Sequence, residues 1–151
     1  YAGMVDECEL PEIAIKTDEH RAGGMDGTLE IDMGMEAMTS KLTFSAPSPE
    51  IVRLTATSGS NTARIQIRGS FVRDSDNSRL AVIAEIGGSF KKLTLGTWKA
   101  GDKANLEYEV RVNYFRLSIG GVDEIEIDVE NMIRKIGGVD QLAGIRADLG
   151  M

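Results

Sequence analysis

Apolar and polar residues alternate along several stretches of the chain with the period of a half-buried strand. Over Thr62–Phe71, Ala63, Ile65 and Ile67 fall on one face and Arg64, Gln66 and Arg68 on the other. Leu80–Phe90 is a more continuous apolar run holding Val82, Ile83 and Ile86. Asn105–Ile119 puts Leu106, Tyr108, Val110, Val112 and Tyr114 on one face and Glu107, Glu109, Arg111 and Asn113 on the other, then changes face at Phe115 and Leu117. Such a change predicts a bulge, or an end buried on both sides. Glu124–Val129 alternates Glu124, Glu126 and Asp128 with Ile125, Ile127 and Val129. Asn105–Ile119 also exceeds the typical strand of about 5–6 residues. A strand that long reaches past what one domain needs, and an exposed edge invites pairing with another chain.

Two short helices complete the pattern. Ser48 is placed as N-cap with Pro49 at the first helical position and Glu50 in the first turn. Ile51, Leu54 and Thr55 then form a stripe, and Gly59 fits the position just past the end. The second helix is predicted from a cap at Asp140, with Leu142, Ile145 and Leu149 on one face and Gly150 as its stop. Both are too short to stand by propensity alone and require a sheet to pack on. Glycine pairs at 23–24, 87–88, 120–121 and 137–138 read as turns or bulges. The expected fold is mainly β (α+β): a β-sandwich or barrel-like unit of antiparallel sheets with one or two short flanking helices, a single domain over residues 1–151.

Charge narrows the function. Twenty-four acidic against 17 basic residues give a net charge of −7. Affinity for nucleic acid comes mostly from neutralising phosphates, so this balance argues against stable binding. It leaves room for a surface past which DNA slides. No apolar run approaches the roughly 20 residues of a membrane helix. Cys8, the single cysteine, makes no internal disulfide. Asp6, Glu7 and Glu9 beside it oppose thiolate formation, so it reads as a small inert residue.

Few residues offer chemistry. Asp74, Asp76 and Ser78, with Glu85 at the twelfth place, imitate a calcium loop, but Arg79 stands where the loop needs Gly, so a polar hairpin turn is expected. Glu124, Glu126 and Asp128 line one strand face and read as solvated surface or as the wall of a channel before they read as glycosidase carboxylates. His20 lies in a polar stretch without a second ligand. No metal, cofactor or catalytic residue is assigned. Trp98 is read as an aromatic at a turn that caps the core or an interface. Arg21–Met38 holds Gly23, Gly24, Gly27 and Gly34 with Met25, Met33, Met35 and Met38. It is read either as a mobile surface loop or as an arm that docks on another subunit.

The C-terminal third carries a resemblance. Asn113-Tyr114-Phe115-Arg116-Leu117, Glu126-Ile127-Asp128, Asn131-Met132-Ile133, Gly138-Val139-Asp140-Gln141-Leu142 and Arg146-Ala147-Asp148-Leu149-Gly150 look like the major tail tube protein of contractile-tailed phages. That family also supplies the tube of R-type pyocins. Arg21-Ala22-Gly23-Gly24-Met25-Asp26, Ile31 to Met38 and Trp98 to Ala104 are similar to the same family and stand in its order. The family's members begin upstream of Tyr1 with another strand-like segment, which is expected to be missing here.

The resemblance implies six protomers joining sheets edge to edge into one shared β-barrel, rings stacking into a tube, and no catalysis. It implies a virion protein, assembled in the bacterial host cytoplasm. The implied partners are further copies of the chain, the tail sheath, tape-measure, baseplate and tail-terminator proteins, with DNA passing through the lumen unbound. Arg21, Gly23, Gly24, Met25, Asp32, Met33, Met35 and Trp98 are the candidate contacts between protomers or rings. Glu107, Glu109, Glu124, Glu126 and Asp128 are candidates for an acidic lumen. The tube of an R-type pyocin or related contractile injection machine is the near alternative, and a monomeric acidic β-sandwich binding module the alternative of another class.

Overall fold

The computed structural model describes residues 5–24, 26–56 and 63–151. Met25, Gly59 and Thr62, singled out above, lie outside the described residues. Among the described residues twelve elements follow one another: β1 (Val5–Glu9), β2 (Ile15–His20), β3 (Leu29–Met35), β4 (Met38–Phe44), α1 (Pro49–Ala56), β5 (Ala63–Val72), β6 (Arg79–Thr94), β7 (Leu106–Ile119), β8 (Val122–Asp128), β9 (Ile133–Ile136), β10 (Val139–Asp140) and α2 (Ala143–Asp148). Every strand pairing is antiparallel. The mainly β architecture with two short helices is therefore as expected.

The organising strand is β7. Along one edge it pairs with β6, and β5 lies outside β6. Its other edge is shared: β4 takes Leu106–Val112 and β8 takes Tyr114–Ile119. The sheet forks at that junction, with β1 outside β4 and β9 and β10 outside β8. Asn113 is skipped in the register on both sides, since Gly87 faces Tyr114 while Gly88 faces Val112. This is the bulge that the change of face predicted. It comes one step earlier than the pattern placed it: Tyr114 is half-buried on the polar side, and burial resumes at Phe115. Gly88 is required there, because a Cβ would lie 1.9 Å from the Arg111 carbonyl oxygen. The Gly120-Gly121 and Gly137-Gly138 pairs form two-residue hairpin turns, with φ values of 60°/86° and 60°/84° that suit glycine in a type I′ turn.

One face of the sheet carries the core in two clusters. Met38, Ala84, Ile86, Val112, Phe115 and Ile127 make the first, with Ile13 and Met35 packed on it. Leu42, Phe44, Ile51, Leu106, Tyr108 and Val110 make the second, where the Phe44 and Phe90 rings meet Tyr108 edge-on. Ile65 packs against both, so the clusters share one side of a curved sheet.

In α1, Ile51 is the buried anchor but Leu54 is exposed. The helix rests on β6 through a narrower stripe than the spacing predicted. α2 corrects its prediction further. Asp140 belongs to β10, the N-cap is Leu142 without a side-chain cap, and the helix buries no residue. Ile145 and Leu149 point to solvent. Its end follows the prediction: the Gly150 and Met151 N–H groups donate to the Ala147 and Arg146 carbonyls, with Gly150 at φ 73°.

Candidate assembly surfaces

β2 and β3 form a ribbon of their own, separate from the main sheet. Of their residues only Met35 is not exposed. An isolated two-stranded ribbon is marginal in water, so its stability must come from packing. Its base is packed: Ile13 and Met35 sit on the first core cluster. Asp32 lies 3.7 Å from Arg134 of β9 and accepts the Gly34 N–H. The rest stands clear. Leu29, Ile31 and Met33 alternate along β3 as exposed apolar side chains, Met33 at 59% exposure. On the opposite face Glu19 pairs directly with Glu30, and Thr17 with Asp32.

The suspected arm is thus a β-ribbon rather than a loop. Arg21, Gly23 and Gly24 lie in its exposed connection, while Met35 is one of its anchors on the core. Trp98 is separate from this group. It lies in the loop after β6, 68% exposed, with its indole N–H donating to the Leu95 carbonyl at 2.9 Å. It caps its own loop and leaves its ring to solvent.

Glu107, Glu109, Glu126 and Asp128 lie on the polar side of the main sheet, and two of them, Glu109 and Glu126, stand between bases. Glu107 faces Thr43 and Thr94 across the strands. Glu109 lies between Lys41 and Lys92, with the Lys91 ammonium 3.7 Å away. Farther along, Gln66, Glu85, Arg116, Glu126 and Lys135 form a row across five strands. Glu85 holds two arginines, Arg64 at 2.9 Å on one carboxylate oxygen and Arg116 at 2.6 Å on the other. The bond to Glu85 holds the Arg116 guanidinium above its usual range. Arg64 also lies over the Tyr114 ring, 4.9 Å from its centre. Burial, with the nearby Glu126 charge second, pushes the Tyr114 phenol up.

Two residues depart from the alternation read in the sequence. Glu124 is skipped at a bulge, since Leu117 faces Ile125 and Ser118 faces Asp123. Val129 lies past the end of β8 and is exposed.

Asp128 is tied locally, accepting the Asn131 backbone N–H at 3.1 Å and its side-chain amide at 2.7 Å. Next to it lies a knot the sequence reading missed. Arg146 donates to the Met132 carbonyl at 2.8 Å and to Asp140 at 2.5 Å. Asp140 also accepts the Leu142 N–H at 3.1 Å. The Arg146 bond leads the causes that hold the Asp140 carboxyl below its usual range. This knot fixes α2 with Ile145, Leu149 and Met151 outward. The signal was present in the resembling blocks, which contain all four residues, but nothing in their spacing says that they touch.

The remaining motifs settle as structure. Asp74–Ser78 is the polar hairpin turn expected, with the Ser78 hydroxyl and N–H both donating to Asp76, which lowers that carboxyl. Glu85 lies away on β6 between its arginines. Cys8 is half-buried and its thiol is pushed up, but burial is the leading cause and the neighbouring carboxylates are not among the causes. Among the described residues no three His, Cys, Asp or Glu side chains converge as metal ligands.

Among the described residues the outer edge of β5 is unpaired and the β2–β3 ribbon is exposed on both faces. The family model "Phage tail tube protein FII" matches residues 1–150. The tail tube protein of Escherichia phage P2 is 31% identical over 154 residues, spanning all of this chain and 90% of the relative. The major tail tube protein of Serratia phage KSP20 is 26% identical over 140 residues, 91% of this chain and 80% of the relative. The chain belongs to the phage tail tube family and is a structural component of a contractile phage tail.

Proposed function

We propose that this chain builds the inner tube by closing its sheet with those of five further copies into a ring, and that rings stack through the β2–β3 ribbon. One observation carries the reading: a ribbon exposed on both faces, bearing Leu29, Ile31 and Met33, projects from an otherwise packed sheet. Its candidate contacts are Arg21, Gly23, Gly24, Met25, Asp32, Met33 and Met35, with Trp98 as a separate contact. The outer edge of β5 offers an antiparallel partner the N–H and C=O groups that closure would use. A ring of heterologous contacts leaves no edge free, whereas a monomer would.

The polar side of the sheet faces the channel in this reading, with Glu107, Glu109, Glu124, Glu126 and Asp128 in its wall. Lys41 and Lys92 flank Glu109, and Arg116 and Lys135 flank Glu126, so these bases are interleaved with acids rather than left free to neutralise phosphates. A wall of that kind lets DNA pass without holding it. The sheath surrounds the tube, the tape-measure protein fills it during assembly in the host cytoplasm, and baseplate and terminator proteins close its ends. The role is structural, without a catalytic step.

Electron microscopy of the full-length protein, from dilute to concentrated and with a baseplate-containing lysate, tests this. Rings or hollow tubes of uniform diameter support it. Failure to enter tubes even with the baseplate present contradicts it.

A further inference from the structure

The sheet forks on the far side of β7, so the free edge of β5 has two ends of the same sheet to meet in a ring. One branch ends at β1 and the other at β10. Among the described residues β1 and β5 share no row. Glu9, at the end of β1, stands in the row of Lys41, Glu109 and Lys92, and Val5 lies farther off in the row of Phe44 and Leu106. β5 starts in the row of Gly88 and Val112 and runs away from those rows toward Arg79. The β8 branch lies level with β5. Ile67, Ala84, Leu117, Ile125, Ile136 and Val139 form one row across six strands, on the core side. Gln66, Glu85, Arg116, Glu126, Lys135 and Asp140 form the next row, on the polar side.

Direction makes the same choice. Every pairing along these rows is antiparallel, so β10, the sixth strand from β5, runs opposite to it. Rotation about a ring axis leaves the sense of each strand along that axis unchanged. β10 of one copy therefore meets β5 of the next as an antiparallel pair. β1, the fifth strand from β5 along its own branch, would meet it in parallel, the less stable pairing. Burial also runs out at both ends of the core-side row. Ala84 is buried, but Ile136 and Val139 are 43% and 62% exposed. On β5, Ile67 is half-buried and Phe71, two steps of the alternation farther along the same side, is exposed. Gly69 stands between them without a side chain, and a glycine inside a strand often marks the close approach of another backbone.

We propose that β10 of one copy pairs antiparallel with the outer edge of β5 in the next, Val139 and Ile136 covering Ile67 and Phe71 on the core side. The proposal rests on the ring-closure reading and names the strand that closes the ring. The stagger of a closed barrel decides which of Ile67, Gly69 and Phe71 faces Val139. The polar side needs no new ion pair, since Asp140 is already held by Arg146. The knot that fixes α2 thereby also fixes the closing strand.

The test is cross-linking of assembled full-length chains. Facing Cβ atoms of paired strands lie about 4.5–5.5 Å apart, close enough for a disulfide after a small adjustment. In a Cys8→Ser background, Val139→Cys is combined with Ile67→Cys, Gly69→Cys or Phe71→Cys, and the tubes are oxidised. At least one of these pairs gives a ladder of linked copies on a non-reducing gel, and Val139→Cys with Arg68→Cys, on the polar side, gives none. Val139→Asp, at an exposed position, leaves melting of the unassembled chain unchanged and lowers tube yield about tenfold or more. Normal yield from that variant overturns the proposal even where the cysteine pairs block assembly. If the parent chain forms no rings with a baseplate present, the ring-closure reading fails and this proposal with it. If tubes form and no core-side pair links, only this proposal is overturned. A ladder from Ile67→Cys with Cys8 retained assigns the join to β1 and overturns it too.

Discussion

Gly88 and Arg111 meet so closely across β6 and β7 that a Cβ on Gly88 would lie 1.9 Å from the Arg111 carbonyl oxygen. The contact sits at the bulge where β7 turns its apolar face over, from Val112 to Phe115. The Gly88→Ala variant must displace backbone on the central strand. We expect a loss near the upper end of the overpacking range, about 3 kcal/mol. For a domain of this size that is a fall of roughly 6–12 °C in melting temperature. Gly87→Ala, whose Cβ would lie 3.1 Å from the Tyr114 Cβ with its next neighbours at 3.8 Å, costs less. Calorimetry of the two variants checks the order.

Tyr108 is fully buried, and its hydroxyl has no hydrogen-bond partner among the described residues. The ring is what the core uses, between Phe44 and Phe90. Tyr108→Phe is therefore neutral or stabilising by up to ~1 kcal/mol, since an unmet polar group is removed. Tyr108→Ala loses about 3–5 kcal/mol through the cavity. Denaturant midpoints of the two variants separate the roles of ring and hydroxyl.

The Asp140 carboxyl is held below its usual range by Arg146. A carboxyl with a depressed folded value contributes stability above its unfolded value, near pH 3.9, and loses it as pH falls through the folded value. The C-terminal knot should hold from neutral pH to about pH 4 and loosen below it. Hydrogen exchange across residues 128–151 as a function of pH reads this directly. Asp140→Asn removes this contribution to the pH response, and Arg146→Ala exposes α2 to exchange at neutral pH.

Trp98 gives the opposite signature. It is exposed, so Trp98→Ala changes melting by no more than about 0.5 kcal/mol's worth. Large aromatics are frequent interface anchors, so the same variant is expected to lower tube yield. Melting and sedimentation of one preparation test both halves.

The long central strands and their change of face were legible because apolar period-2 runs record a buried face. β4 was harder to see. Met38, Ser40, Leu42 and Phe44 are all buried on one face, but Ser40 breaks the apolar pattern while its hydroxyl donates to the Glu9 carbonyl at 2.7 Å. β2 and β3 carry few buried residues, so their pairing leaves little hydrophobic record. The contact between Arg146 and Asp140 depends on how β10 turns into α2, and residue type alone does not encode that turn. The acidic face of β8 was visible, but the bases beside it come from β7 and β9, which only the register aligns.

The central claim is that neighbouring copies complete the β2–β3 ribbon and the β5 edge. A cryo-electron-microscopy reconstruction of tubes assembled from the full-length protein tests it most directly. The account predicts Leu29, Ile31 and Met33 packed against another copy and β5 hydrogen-bonded to a neighbouring strand. Tubes in which the ribbon stands free in solvent and β5 keeps an open edge would contradict it.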